Sequence, residues 1–130
     1  MAALDTDILV ALLKGTPDAV EKIEWLQEEG HEISTTMITA YELVKGAHCS
    51  SRLEENLARV NETISNVKIL DLSYGAANEA AKIYKELQDK RRMIGEFDIL
   101  IAATVRFNNE TLVTRDAHFK AVRGIKLINW

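Results

Sequence analysis

The chain has 130 residues, of which 47% are hydrophobic and 28% charged, and its formal net charge is −4. This length suits one domain with a sizeable core. The single cysteine, Cys49, excludes an intramolecular disulfide and a thiolate metal cluster. The acidic balance disfavours a protein that holds nucleic acid by charge alone. The N-terminus lacks a basic region and no apolar run is long enough to cross a bilayer, so we expect no signal peptide, no membrane contact and a cytoplasmic location.

Hydrophobic periodicity and capping residues predict strands that alternate with helices. In chain order we expect a strand at 2–4, helices at 6–13 and 17–29, a strand at 31–34, helices at 36–47 and 51–64, a strand at 67–70, helices at 74–90 and 97–108, a strand at 111–114, a short helix at 117–122 and a strand at 125–128. This order predicts a single α/β domain over residues 1–130, with three α/β/α layers and a mostly parallel central sheet of about five strands.

Apolar residues at helical spacing mark the faces that we expect to pack. One face of the helix at 36–47 carries Met37, Tyr41 and Val44, and the helix at 51–64 carries a stripe that begins at Leu53 and ends at Ile64. The clearest stripe belongs to the helix at 74–90 and comprises Ala77, Ala80, Ala81, Tyr84 and Leu87.

Four acids, far apart in sequence, lie where an α/β fold could bring them together. Asp5 directly follows the first strand, and Asp116 follows the fourth strand after Thr114 and Arg115. Ligands gather at the carboxyl ends of parallel strands, so we expect both acids at one edge of the sheet. Asp98 and Glu42 lie in largely apolar helices, where a half-buried carboxylate needs either a metal ion or a basic side chain as compensation.

Converging carboxylates suit Mg²⁺ or Mn²⁺, which prefer oxygen ligands and retain water. Two such ions about 3.5–4 Å apart can activate water and stabilise the leaving oxygen in phosphodiester cleavage. Three of the four acids also have an ordinary explanation: Asp5 and Asp116 could cap helices, and Glu42 could pair with Lys45. Asp98 has none, because its helix offers no solvated face. Glu96 is another candidate helix cap.

Several other polar and aromatic residues have alternative interpretations. Thr6 could orient Asp5, and Thr114 would face the same edge of the sheet. The three histidines, His31, His48 and His118, lack metal-ligand spacing and are interpreted as structural. Tyr74 and Tyr84 are interpreted as core or interface residues. The basic run 90–92 is either a solvated loop or a contact for an RNA phosphate.

Five segments of the sequence resemble a known family. They are LDTDIL from Leu4, TAYEL from Thr39, IGEFDILIAA from Ile94, LVTRDAHF from Leu112 and the closing GIKLINW from Gly124. In this order they resemble the PIN-domain family, and specifically its VapC-type toxins from prokaryotic toxin–antitoxin pairs. The resemblance covers nearly the whole chain.

The resemblance implies that Asp5, Glu42, Asp98 and Asp116 are the metal-binding, catalytic set, for which Thr6 and Thr114 are our candidate supporting residues. It implies Mg²⁺- or Mn²⁺-dependent hydrolysis of RNA to a 5′-phosphate and a 3′-hydroxyl. It also implies a homodimer and inhibition by a cognate antitoxin. The sequence departs from the family at Asp7, where Asn is usual, and at position 116, where many members have Asn.

Three other functions compete with this interpretation. A response-regulator receiver could use Asp5, Asp71 and Thr114, but its lysine fails because Lys126 begins the last strand. A phosphatase of the haloacid dehalogenase type could use the Asp5-Thr6-Asp7 motif, although Ile8 and Leu9 follow where a Thr or Val is needed. The third alternative is a catalytically inactive domain that binds a partner.

Overall fold

Five short strands form the centre of the structure, a computed structural model that describes residues 1–130. They are β1 (Ala2–Leu4), β2 (Ile33–Thr36), β3 (Lys68–Leu70), β4 (Thr111–Val113) and β5 (Lys126–Ile128). Every neighbouring pair is parallel, and the order across the sheet is β3-β2-β1-β4-β5. The predicted five-stranded parallel sheet is therefore confirmed, with strand bounds within two residues of the prediction.

Six α-helices and one 3₁₀ turn connect the strands. They are α1 (Thr6–Leu13), α2 (Pro17–Glu28), α3 (Met37–His48), α4 (Leu53–Ser65), α5 (Tyr74–Asp89), α6 (Glu96–Phe107) and the 3₁₀ turn Ala117–Ala121. The last of these was predicted as a short helix. None of the helices is both long and apolar enough to cross a membrane.

The helices cover both faces of the sheet and give it three layers. Ala3 and Leu112 point into a core with α5 and α6, whereas Ala2, Leu4 and Val113 point into a second core with α1, α2 and α4. Consecutive strand residues face opposite sides, so these three-residue strands serve both cores. The α/β/α architecture predicted from the sequence is confirmed.

The chain reverses its direction of travel across the sheet at β1. From β1 it moves outward through β2 to β3, and α5 and α6 then carry it back across to β4 on the other side of β1. The carboxyl ends of β1 and β4 therefore flank a topological switch point, the position at which open α/β sheets bind their ligands.

The prediction of which helix faces are buried was partly wrong. In α5 the buried residues are Ala76, Ala80, Ile83 and Leu87, whereas Ala77, Ala81 and Tyr84 are exposed. Tyr74, predicted as a core or interface residue, is 89% exposed, which excludes the core alternative. In α3 the residues Met37 and Tyr41 face solvent, and in α4 only Val60 of the predicted stripe is fully buried. Small alanines on several faces explain the error in α5, because they mark no single apolar side.

Candidate active site

An open cleft of about 450 Å³ lies at the carboxyl ends of β1 and β4. Its lining has no hydrophobic residue and consists of Asp5, Thr6, Asp7, Glu42, Asp98, Arg115 and Asp116. All four acids proposed from the sequence therefore meet in one place. They come from the end of β1, from α3, from α6 and from the loop after β4.

Asp5 is the most buried of the four acids, with 5% of its surface exposed. Its backbone N–H donates to Val113 O at 3.0 Å, which fixes it to the end of β4. Its Oδ1 accepts from Thr6 N at 2.8 Å, and its Oδ2 accepts from the Thr114 hydroxyl at 2.7 Å. Asp5 is thus both the N-cap of α1 and a carboxylate of the cleft, so the cap and the site are not alternatives.

Burial raises the pKa of Asp5 from 3.8 to about 7. The hydrogen bonds from Thr114 and Thr6 oppose this rise, and the nearby charges of Asp7 and Asp98 add to it. No lysine or arginine contacts the carboxylate. A bound cation at this edge would therefore stabilise the ionised form of Asp5 that burial disfavours.

A short chain of hydroxyl groups positions Glu42. The Thr6 hydroxyl donates to Glu42 Oε1 at 2.9 Å and lies 3.1 Å from Thr39 Oγ1. Thr39 is in turn fixed by Thr36, the N-cap of α3, whose Oγ1 accepts from Thr39 N at 3.1 Å. Thr6 therefore supports Glu42 through its side chain, and it contacts Asp5 only through its backbone N–H.

The alternative partner proposed for Glu42 was wrong. Lys45 forms no ion pair with it, and its ammonium group lies 5.3 Å from the Tyr41 ring centre and 5.4 Å from that of Phe97. The two rings contact each other edge to face, with their centres 5.7 Å apart. Glu42 is consequently left with a hydroxyl donor and no counter-ion.

Asp98 and Asp116 form the other side of the cleft, and His118 lies beside both of them. The Nδ1 atom of His118 lies 3.2 Å from Asp116 Oδ1 and 4.0 Å from Asp98 Oδ2. Burial raises the pKa of Asp98, the charges of Asp116 and Glu42 raise it further, and His118 lowers it. The sequence interpreted His118 as structural because it lacks metal-ligand spacing, and the fold places its imidazole beside two of the acids.

Asp7 belongs to the cleft in a different way from the other acids. Its Oδ2 accepts from the backbone N–H of Arg115 at 2.9 Å, and its Oδ1 accepts from the indole N–H of Trp130 at 3.3 Å. The Arg115 guanidinium lies 3.6 Å from the centre of the Trp130 ring and donates to the Trp130 carbonyl oxygen. Asp7 therefore ties the loop after β4 and the C-terminal residue to the start of α1.

The remaining polar candidates are distributed as follows. Thr114 faces the same edge as Asp116, as predicted, and its hydroxyl also accepts from Asp116 N at 3.0 Å. Asp116 is the N-cap of the 3₁₀ turn and also lines the cleft. Glu96 is exposed, follows the capping Gly95 and is not part of the cleft lining. The basic residues 90–92 are exposed in the loop between α5 and α6.

The donor set fits a divalent cation that prefers oxygen ligands. Several carboxylates converge, two of them have a raised pKa, and no lysine or arginine forms an ion pair with Asp98, whose neighbour within 4.0 Å is the imidazole of His118. The sequence left open a metal ion or a basic side chain as compensation for Asp98, and the basic side chain that the fold places beside it is the imidazole of His118. The cluster could hold a metal ion.

The fold and the cleft together define an α/β domain with a carboxylate cluster at the switch point of its sheet. The chain belongs to the PIN domain family, whose model matches residues 2–125. It is 32% identical over 128 residues to the tRNA(fMet)-specific endonuclease VapC of Shigella flexneri, and the aligned region covers 98% of this chain and 96% of that protein. It is 30% identical over 128 residues to ribonuclease VapC2 of Rickettsia felis, with the same coverage.

Solved structures give the same relationship. The crystal structure of VapBC2 from Rickettsia felis bound to a promoter DNA fragment contains a chain with a TM-score of 0.92 and 29% identity, covering 99% of this chain and 98% of that one. The structure of DNA-bound VapBC from Salmonella typhimurium contains one with a TM-score of 0.91 and 29% identity, covering 99% and 97%.

The fold also decides against the two rival enzyme and signalling functions. A receiver would need the acids after the first and third strands to be neighbours, but β2 lies between β1 and β3, and Asp71 is exposed at the sheet edge. A phosphatase would need Asp7 as a free acid or base, but both of its oxygens accept hydrogen bonds that hold the loop after β4 and the C-terminal residue.

Proposed function

We propose that the chain is a metal-dependent endoribonuclease and the toxin of a toxin–antitoxin pair, acting in the cytoplasm as a single nuclease domain over residues 1–130. The observation that carries the proposal is the meeting of Asp5, Glu42, Asp98 and Asp116 in one polar cleft at the switch point of the sheet. Relatives that are named as VapC ribonucleases and match nearly the whole chain support it.

The four acids have different tasks in this proposal. Asp5 and Asp98 are the primary ligands of Mg²⁺ or Mn²⁺, because burial makes their ionised forms depend on a nearby cation. Glu42 and Asp116 complete the cluster directly or through water. When bound, the metal would supply a water of lowered pKa and positive charge against the scissile phosphate.

The hydroxyl groups of the cleft hold these acids in place. Thr114 fixes Oδ2 of Asp5 and leaves the carboxylate with acceptor capacity towards the cleft. Thr6 holds Oε1 of Glu42, so the second oxygen of that carboxylate remains available. Thr6 and Thr114 are therefore positioning residues, because they restrict the rotation of the groups that would touch metal and RNA.

Cleavage of RNA by antitoxin-free protein tests the proposal. A labelled single-stranded RNA and a total tRNA pool would be incubated with Mn²⁺, with Mg²⁺ and with EDTA; tRNA is included because one relative is named as specific for tRNA(fMet). The matched variants are Asp98→Asn and Glu96→Gln, which change acids two residues apart on α6, inside and outside the cleft.

We expect metal-dependent cleavage by the wild type and by Glu96→Gln, and a loss of at least 100-fold in Asp98→Asn, because a lost metal ligand removes an essential part of the site. Cleavage that persists in EDTA, or full activity in Asp98→Asn, would refute the proposed metal site. A folded, metal-loaded protein that cleaves neither RNA would favour the catalytically inactive, partner-binding alternative.

We propose an antitoxin partner because the solved structures that this chain resembles are VapBC complexes. A groove of about 310 Å³ runs between α1, α3 and α4 and opens at Thr6 and Glu42 into the acidic cleft. Its apolar wall comprises Val10, Leu13, Leu43, Ala47 and Val60. Such a groove suits an amphipathic segment of the partner.

Gly46 offers a sharp test of this groove, because a Cβ built there meets no atom within 4 Å. Gly46→Arg should therefore fold normally, fill the groove and reduce co-purification of the co-expressed antitoxin. Ser65→Arg, at the exposed end of α4, is the control. Unchanged co-purification with Gly46→Arg would exclude this groove as the docking site.

A homodimer is also proposed, on the resemblance and on the exposed apolar side chains of α3 and α6. Met37, Tyr41 and Phe97 are 45%, 52% and 40% exposed, although they are large and apolar. Light scattering should give twice the chain mass of 14.6 kDa. A monomer at micromolar concentration, measured without antitoxin, would contradict the proposal.

A further inference from the structure

His118 lies within ligand distance of the acidic cluster although it is not one of the four acids. One of its imidazole nitrogens, one oxygen of Asp98 and one oxygen of Asp116 all lie within 4.8 Å of one another. Octahedral coordination at roughly 2.1 Å places neighbouring ligand atoms about 3 Å apart and opposite ones about 4 Å apart. The distances from Nδ1, 3.2 Å to Asp116 Oδ1 and 4.0 Å to Asp98 Oδ2, match these two spacings.

We propose that the Nδ1 atom of His118 is a ligand of the metal ion held by Asp98 and Asp116, and that it gives the site a preference for Mn²⁺ over Mg²⁺. This inference rests on the proposed function, since it needs a metal ion at the four acids. It adds to the proposed nuclease a fifth metal-binding residue and the identity of the ion that the site prefers.

The local backbone holds the imidazole beside the carboxylates. His118 lies in the 3₁₀ turn that Asp116 caps, and its backbone N–H donates to Asp116 Oδ1 at 2.8 Å. The next residue, Phe119, is fully buried in the core with α6, which anchors the turn. Asp116 itself is held through its backbone N–H by the Thr114 hydroxyl. The backbone that carries the imidazole is therefore fixed by a buried anchor and two turn hydrogen bonds.

The side chain of His118 is free to take part in coordination. It is 69% exposed, and its only close polar neighbours are the carboxylates of Asp98 and Asp116. No other element offers Nδ1 a hydrogen-bond partner, so coordination would replace no contact that stabilises the fold.

A nitrogen ligand changes which ions the site prefers. Mg²⁺ is a hard cation that strongly favours oxygen ligands and retains its water. First-row transition ions accept imidazole more readily, and affinity for nitrogen-containing sites rises from Mn²⁺ onwards. A cluster of carboxylates alone would discriminate little between Mg²⁺ and Mn²⁺. With His118 included, replacement of the imidazole should weaken Mn²⁺ binding more than Mg²⁺ binding.

Pulsed electron paramagnetic resonance of the Mn²⁺-loaded full chain tests the inference without measuring activity. Directly bound ¹⁴N from an imidazole produces a nitrogen modulation of the Mn²⁺ signal. The variants are His118→Gln, the control His31→Gln, and Asp98→Asn. His31 precedes β2 and therefore lies at the opposite edge of the sheet from the cleft. Dissociation constants for Mn²⁺ and for Mg²⁺, the latter by competition, would be measured on the same samples.

We expect nitrogen modulation in the wild type and in His31→Gln and its absence in His118→Gln. The Mn²⁺ dissociation constant should rise about tenfold in His118→Gln, in the range typical for lost supporting groups at metal sites, while that for Mg²⁺ changes less than about twofold. Modulation that persists in His118→Gln, or equal weakening for both ions, would overturn the inference and leave the proposed nuclease site intact. Mn²⁺ binding that Asp98→Asn does not weaken would instead refute the metal site itself.

Discussion

Asp5→Asn should stabilise the metal-free protein at neutral and alkaline pH. In the folded chain the Asp5 carboxylate is buried, lies near the charges of Asp7 and Asp98, and has a pKa of about 7 instead of 3.8. The unfolded chain therefore releases this proton at a lower pH than the folded chain does. Between about pH 4 and pH 7 the free energy of unfolding should fall as the pH rises, and above pH 7 the full cost of the buried charge remains.

The size of the effect follows from the difference between the two pKa values. At about 1.4 kcal/mol per unit, ionised Asp5 costs about 4 kcal/mol of stability, which is an upper limit. An asparagine keeps the acceptor for Thr6 N–H and can face the Thr114 hydroxyl with its amide group, but these hydrogen bonds are weaker than those to a charge. We expect Asp5→Asn to stabilise the protein by about 1–3 kcal/mol at pH 8 and to have little effect at pH 4.

Urea denaturation in EDTA from pH 4 to pH 8.5 would measure this difference. Asp71→Asn is the matched control, because Asp71 also follows a strand but is exposed. Saturating Mn²⁺ should stabilise the wild type at pH 8 and stabilise Asp5→Asn much less. If Asp5→Asn were no more stable than the wild type at pH 8, the ionised Asp5 carboxylate would not be destabilising the metal-free fold. A stability difference that did not depend on pH would lead to the same conclusion.

Three further predictions concern the parts of the fold that support the cleft. Arg106 contacts the carboxylate of Glu79 through Nε at 2.9 Å and Nη2 at 2.8 Å and lowers its pKa. Glu79→Gln should therefore lower the free energy of unfolding by about 1 kcal/mol near pH 7. This difference should disappear as the pH falls through the folded pKa of Glu79. Gly75→Ala would place a Cβ against the Phe107 ring, so it should be neutral or destabilising alone. In a Phe107→Ala background it should instead stabilise the protein by up to about 1 kcal/mol. A double-mutant cycle measured by thermal unfolding that shows no such coupling would contradict this packing. Trp130→Phe removes the indole donor to the first turn of α1 and should cost about 1 kcal/mol in urea denaturation, whereas an unchanged midpoint would show that this contact is not stabilising.

The position of the acids could be predicted from the sequence because it follows from strand ends. Asp5 directly follows an apolar strand, and Asp116 follows another after two residues. In a parallel sheet both must therefore lie at one edge. Asp98 was identifiable as a half-buried acid because its helix is apolar nearly all round. These inferences need only the alternation of elements, which local sequence determines well.

Features that depend on distant contacts could not be predicted in this way. The approach of His118 to Asp98 depends on how the 3₁₀ turn packs against α6, and its only local signal was its spacing of two residues from a capping acid. The task of Asp7 depends on Trp130, 123 residues away. The pairing of Tyr41 with Phe97 likewise joins two helices that sequence periodicity treats separately.

The order of the strands has a consequence for when the cleft can exist during folding. β1 is synthesised first, but one of its two neighbours, β4, comes more than 100 residues later, and the hydrogen bond between Thr114 and Asp5 spans 109 positions. A partly synthesised chain that ends before α6 could pair β1 with β2 and β3, yet it would carry only Asp5 and Glu42 of the four acids. Contacts of such long range form slowly, because a large loop must close before they stabilise anything. Because the proposed active site would be incomplete, the nascent chain should not cleave RNA near the ribosome until α6, β4 and the loop after β4 have emerged and joined the sheet.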